Sequence, residues 1–259
     1  MKVVLIGAGR LATNLGHALF QNGHLVTCVY SRTMASAKQL ADAIGAEAVD
    51  DFSRLPLQAD VFVVAVSDSA LPSLLPKLAE GRSGQLVVHT AGSLPMSILG
   101  SAFSRYGVFY PMQTFSKERL VDFSEVSLFV EASSQEVLSV LRQLAESVTP
   151  HVYELSSDDR RQLHLAAVFA CNFVNHCYTL SAELLAAKGL PFSVMLPLVD
   201  ETARKVHQMS PLAAQTGPAV RYDENVISMQ SQMLASDPMM RDIYERMSES
   251  IHQTHMHKS

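Results

Sequence analysis

The sequence predicts an α/β protein: a doubly wound, mostly parallel sheet followed by an all-helical domain. Three observations carry that expectation. Apolar, β-rich runs alternate with helix-spaced segments up to Leu155. The first such run breaks into a glycine-rich turn, Gly7-Ala8-Gly9-Arg10-Leu11-Ala12, that opens a helical pattern. Beyond Leu155 no convincing strand pattern recurs.

The elements follow in order. Val3, Val4, Leu5 and Ile6 make a first strand over 2–6, and Leu11, Leu15, Ala18 and Leu19 give the next segment the spacing of a helix with one apolar face. Further strands are expected at 25–30, 46–49, 61–66, 86–89, 108–110, 128–131 and 152–155, with helices at 35–43, 71–78 and 135–147. The later strands complete or edge the sheet. Ser156-Ser157-Asp158-Asp159 reads as a helix start, feeding a long helix over 160–188 that Gly189-Leu190-Pro191 ends. Helices at 192–209, 223–235 and 239–252 complete a domain over 156–259, after a first domain over 1–155.

Composition narrows the function classes. Apolar residues at 48% and charged residues at 17% are enough for packed cores without a disordered tract. A net charge of −5 with no basic cluster argues against nucleic acid or an anionic membrane as partner. No secretory signal or membrane-length apolar run is legible, so a cytoplasmic location is expected. Cys28, Cys171 and Cys177 form no CxxC pair and sit among apolar neighbours, which predicts buried free thiols. No metal is expected, because His252, His255 and His257 share their tract with no Cys or carboxylate.

The glycine-rich turn is the strongest chemical signal. In a strand-turn-helix context, Gly7 allows the tight turn, Gly9 lets a pyrophosphate approach the backbone, and Ala12 lets the helix lie close on the sheet. The second strand ends Ser31-Arg32-Thr33 with no acid to hold a ribose 2′-OH, whereas Arg32 can pair with a 2′-phosphate. NADP is therefore the expected cofactor, held by Gly7, Gly9, Arg10, Leu11, Ser31 and Arg32, with Val66 and Ser67 after the fourth strand. The competing reading of Arg32 is a solvated loop cation.

Ligands of open α/β sheets lie outside the carboxyl ends of the strands, which here carry the turns at 67–69, 89–93 and 110–114. His89 in the second turn and His164 in the long helix are the candidate proton donors, since imidazole exchanges protons near neutrality. Either could instead only hold backbone groups. His164, Asn172, Asn175, His176 and Thr179 fall within an arc of about 120° at about 100° per residue, a polar stripe on an otherwise apolar helix. Such a helix is buried in its domain or between two subunits, so a homodimer is plausible. Asn172 is a candidate for orienting substrate, and Arg221 in Thr216-Gly217-Pro218-Ala219-Val220-Arg221-Tyr222-Asp223 for meeting an anionic one, with a plain pairing to Asp223 as the alternative. A rival for the whole chain is a non-catalytic NADP-binding sensor or assembly module.

The chain resembles an NADP oxidoreductase group that joins a Rossmann-like domain to a C-terminal domain of unknown function. The resemblance rests on GAGRLATNLG at the start, HTAGSLP from His89, FYPMQTF from Phe109, HLAAVFACNFVNH from His164 and TGPAVRYD from Thr216. It implies a helical domain of the 6-phosphogluconate-dehydrogenase type, commonly dimeric, and supplies no substrate; the leading expectation is an NADP-dependent oxidoreductase that moves a hydride between nicotinamide and a small carbonyl or imine compound in the interdomain cleft. More distantly the chain is similar to pyrroline-5-carboxylate reductases and deazaflavin-dependent NADP oxidoreductases. It departs from the former in HLAAVFACNF and TGPAVRYD, and from β-hydroxyacid dehydrogenases in having no Lys before Asn172 on that helix. Neither reaction carries over.

Overall fold

The structure is a computed structural model that describes residues 1–258. The chain divides into two compact units, Met1–Cys171 and the remainder from Asn172. The first is built on one eight-stranded sheet of order β3-β2-β1-β4-β5-β6-β7-β8. Its strands are β1 (Lys2–Ile6), β2 (Leu25–Tyr30), β3 (Glu47–Val49), β4 (Val61–Val64), β5 (Leu86–His89), β6 (Arg105–Met112), β7 (Ser127–Ala132) and β8 (Val152–Glu154). Helices α1 (Arg10–Gln21), α2 (Met34–Ile44), α3 (Leu71–Ala79), α4 (Gln135–Glu146) and α5 (Ser157–Ala167) complete the unit.

β1 shows why the sheet is covered on both faces. Val3 and Leu5 belong to one hydrophobic core and Val4 and Ile6 to the other, so successive side chains are buried on opposite sides. β1 to β6 are mutually parallel. β7 then runs antiparallel to β6, and β8 lies parallel to β7. The sheet is thus mostly parallel, with a reversed edge. β6 extends to Met112, so Tyr110 lies inside a strand rather than in a turn.

The second unit is helical: α6 (Val174–Ala186), α7 (Leu196–Gln208), single-turn α8 (Pro211–Ala214) and α9 (Pro218–Arg221), α10 (Glu224–Met233) and α11 (Pro238–Lys258). The expected long helix is not one regular helix. Between α5 and α6 the backbone of Val168–Phe173 is a π-helix, so the spacing of about 100° per residue that aligned His164 with Asn172 and Asn175 does not hold across it. Nor is it buried within this chain: α6 has no buried residue and α5 only Arg160. Of the three thiols, Cys28 is buried, with its pKa pushed up to about 12 chiefly by desolvation, but Cys171 is exposed and Cys177 half-buried. The expected burial of all three thiols thus holds for Cys28 alone.

Candidate functional site

The candidate cradle grows out of the β1–α1 turn. Gly7 has φ +124, and a Cβ there would stand 2.2 Å from the Ala65 carbonyl oxygen, so only glycine lets the turn pass β4. At Gly9 an added Cβ would meet nothing within 4 Å, leaving the backbone open on that side. α1 starts without a side-chain cap and without an acid in its first turn, so its free N–H groups and dipole favour an anion. α2 starts the same way, its Thr33 hydroxyl donating to Ser36 Oγ at 2.9 Å instead of capping.

A cleft of about 310 Å³ lies here, lined by Gly7, Gly9, Ser31, Arg32, Val66 and Ser67 of the expected set. Tyr30, Ser36 and Ala65 join them in its wall, and the lining holds one cation, Arg32, and no carboxylate. Arg10 and Leu11 open α1 outside that lining. Ser36 carries no motif signal in the sequence, because it reaches the cleft only through the placement of α2 in the fold.

Further along the same carboxyl edge, the two histidines have opposite surroundings. His89 is 1% exposed, and its Nδ1 accepts from the Ala91 N–H at 3.1 Å. Burial, helped by the nearby Arg160 charge, pushes its pKa down to about 4 against the Pro95 carbonyl, Asp68 and Glu131, so the ring is neutral at neutral pH. His164 is half-buried, and its Nδ1 lies 3.0 Å from the Tyr110 hydroxyl.

α5 brings His164 there. Ser156 caps the helix by accepting from Asp159 N, and Asp158 and Asp159 favour the positive end of its dipole. Arg160, 1% exposed, donates to Glu131 Oε2 at 2.5 Å, the Leu94 carbonyl at 2.6 Å and Ser157 Oγ at 3.2 Å. Ser157 Oγ donates in turn to Glu131 Oε2 and accepts from Met96 N. The first turn of α5 is thereby stitched to β7 and to the loop after β5, and His164 follows one turn on. Ser93 Oγ donates to Asp68, joining the loops after β4 and β5.

Asn172 and Arg221 belong to the helical unit, and both are exposed. Gly217 holds the N-cap position of α9, and Asp223 caps α10 by accepting from Val226 N at 3.4 Å. Among the described residues no group of three His, Cys, Asp or Glu is placed to hold a metal ion.

Strand order 3-2-1-4-5-6, with a glycine cradle where the order turns between β1 and β4, is the arrangement of the Rossmann-like dinucleotide-binding class. A Rossmann-like domain model matches residues 1–110, and the domain of unknown function DUF2520 matches residues 126–251. The chain belongs to the family that joins these two domains. It is 53% identical, with a TM-score of 0.94, to a crystallised Bacteroides fragilis protein that its name assigns, provisionally, to the NADP oxidoreductases. That match covers 97% of this chain and 98% of the other. The fold is shared with an imine reductase from Myxococcus stipitatus in complex with NADP+ (18% identity, TM-score 0.66, covering 99% and 93%). It is also shared with a pyrroline-5-carboxylate reductase from Coxiella burnetii (17%, 0.61, covering 98% and 97%). No curated protein matches the sequence.

Proposed function

We propose that this protein is an NADP-dependent oxidoreductase acting on a small carbonyl or imine compound. The observation that carries the reading is that one sheet edge holds both a glycine-cradled cleft with Arg32 as its only charge and, past β5, a half-buried histidine. The cradle fits the cofactor: the turn at Gly7 admits no side chain, and the cleft lining sets no carboxylate against a bound anion. Gly7, Gly9 and the first turn of α1, with Arg10 and Leu11, would hold the pyrophosphate, while Ser31, Ser36 and Arg32 would hold the 2′-phosphate. Bound NADPH supplies the hydride.

His164 gives the proton to the substrate oxygen or nitrogen. His89, buried and neutral, has none to give at neutral pH and serves to hold the Ala91 N–H. Asn172 orients the substrate and Arg221 clamps a carboxylate where it carries one. The division at 155/156 into nucleotide-binding and substrate domains, the interdomain location of the reduction, a cytoplasmic setting and a homodimer through the helical domain belong to the same proposal. The dimer is supported by the large apolar side chains that the helical unit leaves exposed, Leu198 at 63% and Met233 at 73% among them.

The test is twofold. NADPH raises the melting temperature more than NADH does, as expected of a ligand that binds only the folded chain. NADPH is then consumed in the presence of at least one member of a panel of keto acids, aldehydes and cyclic imines. Stabilisation without turnover across the panel would favour a sensor module, and equal shifts with both nucleotides would remove the role of Arg32.

A further inference from the structure

Tyr110 and His164 are 54 residues apart in sequence and meet edge to face, ring centroids 6.1 Å apart at 75°, with hydroxyl and Nδ1 at 3.0 Å. The phenol is 7% exposed, whereas the imidazole is half-buried and reachable from solvent. Gly92 makes the meeting possible: a Cβ there would stand 2.5 Å from His164 Nδ1 and 2.7 Å from its Cγ. The ring is seated directly on the backbone of the loop after β5. Asp68 from the β4–α3 loop and Arg160 from α5 are the charged groups that act on this phenol. Burial first, and Asp68 second, raise the phenol pKa against the opposing Arg160 charge, so the hydroxyl stays protonated and uncharged.

We infer that Tyr110 is the positioning residue of His164: its phenol oxygen accepts from Nδ1–H and leaves Nε2 as the ring atom that exchanges the proton with substrate. The acceptor's identity rests on the oxidoreductase reading above; the tautomer does not. A phenol oxygen facing an imidazolium N–H makes a charge-assisted bond, stronger than the reverse bond from phenol to neutral ring. The same Nδ1–H persists after the ring is neutralised, so the contact need not invert during a turnover. In the forward direction the Nε2–H bond breaks, its electron pair stays on Nε2, and the proton bonds to the substrate oxygen or nitrogen. That atom carries the π pair displaced when the neighbouring carbon is reduced by NADPH. Solvent then returns a proton to Nε2.

The experiment reads the His164 imidazole nitrogens by ¹⁵N NMR in the full chain, assigned with His164→Gln, for the wild type, Tyr110→Phe and Gly92→Ala. The expected result is hydrogen held on Nδ1 of the wild-type ring in alkaline solution, lost in both variants, since the Gly92→Ala methyl displaces the ring while Tyr110 remains. For a substrate found in the panel, both variants lower kcat by up to about 100-fold with the Kd for NADPH unchanged. A wild-type ring with hydrogen on Nε2, or a Tyr110→Phe protein with both tautomer and kcat unaltered, overturns the inference. Absence of turnover in the wild type would count against the oxidoreductase reading alone, because the tautomer is read without substrate. Should a variant not fold, the wild-type tautomer decides.

Discussion

The guanidinium of Arg160 and the carboxylate of Glu131 face each other at 2.5 Å, one from the first turn of α5 and the other from β7, with the arginine 1% exposed. Removing the carboxylate alone leaves a buried charge unpaired. Glu131→Ala is expected to lower unfolding stability by about 3 kcal/mol, read as a lower urea midpoint. The double variant Glu131→Leu/Arg160→Met is expected to recover part of the loss, because two apolar groups need no partner. A Glu131→Ala midpoint equal to wild type would show that the pair contributes nothing.

His89 links stability to pH. Its folded pKa of about 4 lies below the ordinary 6.5, so between those values the unfolded chain binds a proton that the native chain refuses. Stability is full above about 6.5, falls as the pH drops towards 4, and levels below; the whole effect is about 3 kcal/mol. His89→Asn keeps an acceptor for the Ala91 N–H and removes the titration. Urea unfolding of the variant is expected to be flatter than that of wild type between pH 6.5 and 5, and matching slopes would exclude His89 as the source.

On the proposed reading, Arg32 selects the cofactor. Its replacement by Ala is expected to weaken NADPH binding by about 2 kcal/mol, roughly 30-fold, while leaving NADH within a factor of about two. Fluorescence titration of the two nucleotides reads the difference directly. Parallel losses for both would place Arg32 away from the 2′-phosphate.

The helical unit is expected to be covered by a second copy of the chain. Sedimentation should give twice the chain mass, and Leu198→Glu, which puts a charge on an exposed apolar side chain of α7, should shift the equilibrium towards monomer. A wild-type chain that sediments as a monomer removes the dimer.

What could be read in advance was what is local in the chain. The β1–α1–β2 unit and its glycines were legible because a tight turn, a phosphate cradle and an apolar strand each restrict the residues at fixed spacing. The direction of β7 was not, since a strand carries the same alternation whichever way it runs. The π-helix at Val168–Phe173 left no mark that a count at regular helical spacing could detect. The partnership of Tyr110 with His164, and the glycine under it, joins three elements far apart in sequence. No spacing rule links them.

The reversal at β7 has an effect on the nucleotide end of the sheet. Because β7 runs back along β6, the connection between them stays at the carboxyl edge, where buried Asn14 of α1 donates to the Ser116 carbonyl at 2.7 Å and accepts from Val121 N at 2.9 Å. The helix that starts directly after the Gly7–Gly9 turn is thereby tethered to the segment between β6 and β7. A seventh parallel strand would have carried that segment to the opposite rim; one strand's direction therefore supplies α1 with a fixed buttress beside the phosphate cradle.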